Sequence, residues 1–164
     1  MEGEADRFEL LKAVADEAQP VRFRVVQGSR WPDLIATDAI VLYLVSARFR
    51  KVLRDAGISG WHSRRVEVAD VVSRDYELLV VTGRCGAIDD GCSVQSPRQN
   101  RSGVAYTVWT GLFFDPATWD GSDVFSPADS GLIFMTQRAC DAIRRAKLRN
   151  VRLDYGPTFE RLAL

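Results

Sequence analysis

The segment from Gly83 to Ser93 carries the residue types closest to those of a reactive site. It reads Gly-Arg-Cys-Gly-Ala-Ile-Asp-Asp-Gly-Cys-Ser and places Cys85 next to Arg84. A guanidinium beside a thiol in a glycine-rich turn can lower the thiol pKa and so favour the nucleophilic thiolate. Such a nucleophile also needs a base, and His62 is the only histidine. Since nothing in the sequence brings His62 to Cys85, we favour an ordinary turn after a strand, and an enzyme or small-molecule binder using this loop is the alternative.

The spacing of the residues gives little support for a nucleotide site or a metal site. The glycines of the Gly83–Ser93 segment match neither phosphate-loop spacing, and no Lys-Ser or Lys-Thr pair follows them. With three cysteines, one histidine and no Cys-x-x-Cys pair, the chain does not have the ligands of a structural zinc site. The sequence therefore predicts no catalytic residue, no cofactor and no metal.

A second acidic loop, from Asp115 to Asp123, does not have the spacing of a calcium-binding helix-loop-helix. Asp, together with Asn and Ser, is the residue type that most often closes turns and caps helices through its side chain. We therefore expect turn and helix-cap roles for Asp115, Asp120 and Asp123.

Charge and composition exclude several kinds of partner. Lys plus Arg and Asp plus Glu each total 22, so the chain lacks the positive field with which proteins attract nucleic acid. Basic residues do lie on the outer faces of two predicted helices, where a solvated surface is the favoured interpretation: Arg48, Arg50, Lys51, Arg54, Arg138, Arg144, Arg145 and Lys147. The acidic N-terminal run and the absence of a long apolar stretch predict a cytoplasmic protein that does not enter a membrane, and three cysteines predict reduced thiols.

Hydrophobic periodicity predicts the elements that position these residues. Residues 1–27 are expected to form an amphipathic helix over Glu4–Ala18 and a strand over Val21–Val26. Leu42–Val45 reads as a short strand, Ser46 as the N-cap of a helix that ends at Gly57, and Trp61–Val68 as the next strand. Together they predict one α+β domain of 164 residues, with helices covering a mixed or antiparallel sheet.

The strand-helix-strand pattern of residues 33–62 returns at 123–152, an offset of 90. The shift places Asp33 on Asp123, and it carries the helix cap and its first arginine, Ser46 and Arg48, onto Thr136 and Arg138. Because cap, apolar face and strand agree in register, we interpret the two segments as related units. Gly57 falls on Lys147, so the second helix is expected to end differently, at Asn150.

Two strongly strand-forming runs, Tyr76–Thr82 and Val104–Phe114, lie between the two units. They are expected to pair with each other across the Gly83–Gly103 segment. This segment is long for a connection without secondary structure, which predicts a functional or mobile loop.

Several short motifs of the chain together resemble one protein family. They are Trp31-Pro-Asp33, Leu44-Val-Ser-Ala-Arg-Phe49, Gly57-Ile-Ser-Gly-Trp61, Val81-Thr-Gly-Arg-Cys-Gly86, Phe114-Asp-Pro-Ala-Thr-Trp-Asp-Gly-Ser-Asp123 and the run from Met135-Thr-Gln-Arg138 to Val151. Over about residues 28–155 the chain resembles the immunity proteins of bacterial polymorphic toxin systems. This resemblance implies a protein that binds a cognate toxin and catalyses nothing, and it carries over no catalytic residue.

A toxin-binding surface is expected in the loops, since the patterned residues are explained as core, caps and solvated helix faces. Trp31 and Trp119 are predicted to lie in loops, where a tryptophan serves either as an anchor for a partner or as a plug that packs into the loop. The candidate partner-binding residues are Trp31, Arg84, Asp89, Asp90, Arg98, Arg101, Trp119 and Asp120.

Overall fold

The computed structural model describes residues 21–26, 30–37, 42–69, 75–128 and 130–162. Over these residues the chain is α+β, as predicted, with two α-helices and eleven strands in three sheets. The helix predicted over Glu4–Ala18 lies outside the described residues. Of the strand predicted over Val21–Val26, the first three residues form a strand.

The largest sheet has five strands. They are β1 (Val21–Phe23), β2 (Leu34–Ala36), β3 (Tyr43–Ser46), β4 (Trp61–Val68) and β5 (Tyr76–Val81), in the order β1-β4-β5-β3-β2. The sheet is mixed, because β1 runs parallel to β4 while the other neighbours are antiparallel. β4 has the bounds that its alternating pattern predicts, and the helix-strand order around Ser46 is also confirmed.

Two three-stranded sheets complete the fold. The first contains β6 (Gly83–Cys85), β9 (Val124–Pro127) and β10 (Phe134–Met135), in the order β10-β9-β6, and the second contains β7 (Val94–Gln99), β8 (Ala105–Thr110) and β11 (Glu160–Leu162), in the order β11-β8-β7. Short 3-10 helices lie at η1 (Asp90–Cys92), η2 (Pro116–Thr118) and η3 (Gly156–Thr158).

The Gly83–Gly103 segment is not the long loop that its composition suggested, because it contains β6, η1 and β7. The expected strand pairing is also wrong. β5 pairs with β3 and β4, whereas β8 pairs with β7 and β11. The sequence of β7, Val-Gln-Ser-Pro-Arg-Gln, has little strand propensity of its own, so backbone pairing with β8 makes it a strand.

Helix α1 (Ala47–Asp55) begins as its sequence predicts, since the Ser46 hydroxyl accepts a hydrogen bond from the Phe49 N–H at 3.1 Å. It ends before Gly57, which adopts φ +61°. Helix α2 (Gln137–Ala146) begins at a Thr136 cap. Contrary to expectation it does not continue toward Asn150, because Lys147 itself takes the left-handed conformation at φ +49°. The reversal at this point buries Leu148 in the core.

The main core lies where the two helices pack on the sheets. Its buried members are Val45, Phe49, Leu53, Ile58, Leu79, Val124, Ala139, Ile143 and Leu148. A second, smaller cluster on the other face of the five-stranded sheet contains Leu42, Leu44 and Leu78. Each large side chain in these clusters contributes about 1.5–3 kcal/mol through burial. In the part of the chain that the structure describes, no helix is long and apolar enough to cross a lipid bilayer.

One basic residue departs from the predicted solvated helix surface. Arg50 of α1 is only 4% exposed and pairs with Asp75 and Glu77 at the start of β5. The helical periodicity predicted Arg50 on the outer face together with Arg48, Lys51 and Arg54, which are exposed, but the ion pairs with the two carboxylates hold Arg50 in a buried position.

Candidate functional site

The sheet formed by β7, β8 and β11 presents apolar side chains to solvent. Its antiparallel register places Val94, Tyr106 and Leu162 on one side, and their exposed fractions are 63%, 39% and 61%. Val104, just before β8, is exposed as well. We call the side of the sheet that carries Val94, Tyr106 and Leu162 the hairpin face. Val108 of the central strand lies on the same side but is only 5% exposed, so this side is exposed at Val94, Tyr106 and Leu162 and covered at Val108. Exposed apolar side chains on a sheet face are typical of a protein-binding surface.

Ion pairs brace this sheet. Arg98 of β7 reaches across to Glu160 of β11 at 2.9 Å. On the opposite side, Arg161 pairs with Asp90 of η1, and its guanidinium lies 5.3 Å from the centre of the Trp109 ring. Ion pairs therefore contact the sheet of β7, β8 and β11 on both of its faces.

The tip of the β7–β8 hairpin is closed by side-chain hydrogen bonds. The Asn100 side-chain oxygen accepts from the N–H groups of Ser102 and Val104, both at 2.9 Å, and the Gln99 amide donates to the Gly103 carbonyl at 2.8 Å. Arg101 is exposed in this turn. The turn therefore has one defined geometry and holds Val104 at the surface.

Arg84 of β6 and Asp120 lie together at the sheet formed by β6, β9 and β10. The Arg84 N–H donates to the Asp120 carboxylate at 2.8 Å, and the Asp120 N–H donates to the Arg84 carbonyl at 3.1 Å. Hydrogen bonds from Ser122 and from the Arg84 backbone hold the pKa of Asp120 below its usual value. The neighbouring Trp119 donates its ring N–H to the Ser122 carbonyl at 3.0 Å and packs 5.4 Å from the ring of Phe125.

The turn roles expected for Asp115 and Asp120 are confirmed. Asp115 accepts from the Ala117 N–H at 2.9 Å and caps η2, while Asp120 accepts from the Ser122 N–H at 2.9 Å. Asp123 differs, since it is buried in an ion pair described below.

Cys85 does not have the environment of a nucleophile. The residue is buried, and burial together with the negative charge of Asp120 raises its pKa. The effect expected from Arg84 is absent, because that guanidinium donates to the carbonyls of Val81 and Gly83 at 2.7 and 2.8 Å. The exposed Cys92 also has a raised pKa, through its hydrogen bond to the Asp89 carboxylate at 3.2 Å. Neither thiol of the Gly83–Ser93 segment is therefore activated.

The eight residues expected to bind a partner lie in several places. Arg84, Trp119 and Asp120 form one cluster. Asp90 and Arg98 pair with neighbouring residues of β11, and Asp89 caps η1. Arg101 lies at the hairpin tip. Trp31 instead packs on Tyr76 of β5, with the ring centres 5.6 Å apart. The sequence interpretation missed Val94, Tyr106 and Leu162, whose exposure depends on which side of the sheet remains uncovered.

A buried carboxylate, Asp33, joins α1 to the turn after α2. It accepts from the Ser46 hydroxyl at 2.9 Å, from Arg48 at 3.3 Å and from the backbone N–H of Arg149 at 2.8 Å. Arg48 also donates to the carbonyl of Ala146, the last residue of α2. Asp33 thus connects the start of one helix to the end of the other.

A second buried carboxylate, Asp123, makes the converse connection. It accepts from the Thr136 hydroxyl at 2.8 Å, from Arg138, and from the Ser59 N–H at 3.0 Å. Arg138 also donates to the Gly57 carbonyl at 2.9 Å, after the end of α1. The hydrogen bonds from Arg138, and behind them those from Ser59 and Thr136, hold the pKa of Asp123 well below its usual range.

The two carboxylates, which we call the crossed clamps, have all their oxygens occupied within the protein, so they serve packing rather than a ligand. The agreement of acid, cap and arginine at an offset of 90 was a signal in the sequence that could have identified them.

Among the described residues, no group of three His, Cys, Asp or Glu side chains is placed to hold a metal ion. No protein-family model and no curated protein sequence matches the chain.

Proposed function

We propose that this protein binds and neutralises a partner protein of the toxin class by surface contact, without catalysing a reaction. The observation that carries the proposal is the hairpin face, with Val94, Tyr106 and Leu162 exposed on one side of a three-stranded sheet. Burying such side chains against a partner releases water from apolar surface, and aromatic and arginine side chains beside them are typical of interface centres.

The rigidity of the hairpin supports a role in binding. The Arg98–Glu160 pair and the hydrogen bonds of Asn100 hold the strands and the tip before any partner arrives. A surface that is already ordered loses less conformational entropy on association, so more of the contact energy becomes affinity.

The toxin class of the partner rests on the resemblance of the sequence motifs to immunity proteins, and the contact mode rests on the hairpin face. The alternative, an enzyme or small-molecule binder using Gly83–Ser93, has lost its main support. Cys85 is buried with a raised pKa, and Arg84 is engaged by backbone carbonyls.

We further propose that residues 33–62 and 123–152 are related units that form the scaffold of this binding protein. The crossed clamps support this, because the contacts of Asp33 with Ser46 and Arg48 have counterparts 90 positions later, in those of Asp123 with Thr136 and Arg138. The same offset relates Ser59 to Arg149, whose N–H groups donate to the opposite carboxylates. The hairpin lies outside both units, where it is free to carry a binding function.

The test is co-expression with the product of the neighbouring gene, scored by growth and by the dissociation constant of the purified pair. Wild type should restore growth. A Val94→Asp, Tyr106→Ser variant should bind at least about tenfold more weakly, since an interface centre tolerates neither a buried charge nor the loss of an aromatic ring.

The matched control is Tyr155→Ser, because Tyr155 is 71% exposed and lies outside the strands of the hairpin face. It should bind as wild type does. Equal affinity of the double variant and wild type, with both folded by circular dichroism, would exclude the hairpin face as the contact surface. Failure of wild type to bind the toxin or restore growth would refute the function itself.

A further inference from the structure

A polar cleft is lined by residues of α1, of β4 and of the start of β5. Its volume is about 470 Å³, within the range of small-ligand sites. It is lined by Arg50, Arg54, Arg65, Val66, Asp75, Tyr76 and Glu77. The cleft is separate from the hairpin face, because none of these residues belongs to β7, β8 or β11.

Arg50 forms the buried wall of the cleft. Its two terminal nitrogens pair with Asp75 and Glu77, and Ser63 donates a further hydrogen bond to Glu77. Although burial opposes the effect, the hydrogen bonds from Arg50 and Ser63 lower the pKa of Glu77 and keep this carboxylate charged. Both carboxylates of the cleft are thus committed to Arg50, whose own Nε is buried without a hydrogen-bond partner.

Arg54 and Arg65 remain available at the rim. Both are exposed, and neither forms an ion pair with any described residue, although Arg65 lies opposite Glu77 in the strand register. Among the described residues that line the cleft, three guanidiniums accompany two carboxylates, which leaves one positive charge in excess in this set. An open, polar cleft with an excess of guanidinium groups favours an anionic ligand.

We propose that this cleft binds an oxoanion of the phosphate type. Arg54 and Arg65 donate to it directly, because a planar guanidinium matches two phosphate oxygens at once. Arg50 adds a fixed positive charge behind them, held in place by Asp75 and Glu77. Val66 and Tyr76 also line the cleft, although their side chains pack on the other face of the sheet with the cluster of Leu42, Leu44 and Leu78.

Inorganic phosphate is the first probe, titrated into the full chain at constant ionic strength and followed by NMR. The amide signals of Val66, Tyr76 and Glu77 should shift and saturate together. An Arg54→Gln, Arg65→Gln variant should bind phosphate roughly tenfold more weakly, the combined effect of two exposed charge-assisted contacts. The control Arg145→Gln removes an exposed arginine of α2 that does not line the cleft, and it should bind as wild type does.

Phenyl phosphate distinguishes the source of the anion. Binding at least about tenfold tighter than that of inorganic phosphate would assign the cleft to phosphate monoesters, and equal binding would assign it to the free anion. The proposal is overturned if neither probe shifts the cleft amides saturably. It is equally overturned if the double variant binds as wild type does, or if Arg145→Gln weakens binding as much as the double variant.

Discussion

The carboxylate of Asp33 accepts a hydrogen bond from the backbone N–H of Arg149, 2.8 Å away and 116 residues later in the chain. Asp123 makes the converse contact with the N–H of Ser59 at 3.0 Å. Each acid also holds the cap and the first arginine of the helix that follows it. The two helices are consequently joined twice, each time from the start of one to the turn after the other.

We expect the crossed clamps to dominate the polar contribution to stability. Asp33→Asn and Asp123→Asn should each lower the free energy of unfolding by about 3 kcal/mol, because each change leaves a guanidinium and backbone N–H groups without their buried anion. The measurement is urea unfolding at pH 7. The exposed Asp115→Asn, which alters only a 3-10 cap, should cost less than about 1 kcal/mol. Equal small losses in all three variants would contradict the role of the clamps.

Asp123 also predicts how stability responds to acid. Its pKa is depressed in the folded protein, so the stability it contributes is complete above the ordinary Asp value of about 4 and is lost as the pH falls below it. The difference in unfolding free energy between wild type and Asp123→Asn should be constant from pH 7 to about pH 5. It should narrow by about 1 kcal/mol at pH 3. A difference that stays unchanged down to pH 3 would show that Asp123 is not ionised in this ion pair.

Gly57 and Gly60 both have a positive φ, but only Gly60 has no room for a Cβ. Substitutions at the two positions therefore measure backbone strain and steric overlap separately. Gly57 has φ +61° with nothing within 4 Å of an added Cβ, whereas a Cβ on Gly60, at φ +83°, would lie 2.1 Å from the Val124 carbonyl oxygen. Gly57→Ala should lower Tm by a few degrees, the effect of about 1 kcal/mol of left-handed strain. Gly60→Ala should lower it at least twice as far, because the start of β9 must move. Similar melting temperatures for the two variants would show that β9 moves to accommodate the added Cβ without a further loss of stability.

The two thiols of the Gly83–Ser93 segment should react at different rates, because Cys85 is buried and Cys92 is exposed beside Asp89. At pH 8, Ellman's reagent should label the exposed Cys92 readily and the buried Cys85 slowly. Asp89→Asn should accelerate labelling of Cys92, since removing the carboxylate lowers the thiol pKa that Asp89 raises. Asp115→Asn is the matched control and should leave the rate unchanged. Faster labelling of Cys85 than of Cys92 would contradict the burial of Cys85.

The contacts that form within a few residues were predictable from the sequence. The Ser46 cap, the buried Phe49 and Leu53 of α1 and the span of β4 all follow from spacing, because a cap or a helical face depends on neighbours three or four positions away. The α+β class follows from the succession of such elements. The capping roles of Asp115 and Asp120 were predictable for the same reason.

The wrong predictions concern residues whose surroundings are supplied by other elements of the fold. β7 is a strand because β8 pairs with it, and Arg50 is buried where it pairs with Asp75 and Glu77. The pKa of Cys85 rises because the residue is enclosed, whereas its sequence neighbour Arg84 suggested the opposite. None of these environments is encoded in the residues immediately before and after the position concerned.

In the candidate site, too, some residues were predictable from the sequence and others were not. Its charged residues were predictable, since Asp90, Arg98 and Arg101 lie in a segment rich in polar residues. The apolar residues of the hairpin face were not, because strand alternation alone does not say which side of a sheet other elements cover.

By itself, the sequence determined the α+β class, the start of both helices and the turns that acidic residues close, because these depend on short-range hydrogen bonds and on periodicity. The tertiary structure alone decided which carboxylates are buried, which arginines remain available and which apolar side chains of the β7–β8–β11 sheet stay exposed. Those properties depend on contacts between parts of the chain that are not neighbours in sequence, as in the contacts of Asp123 with Ser59 across 64 positions and of Asp33 with Arg149 across 116.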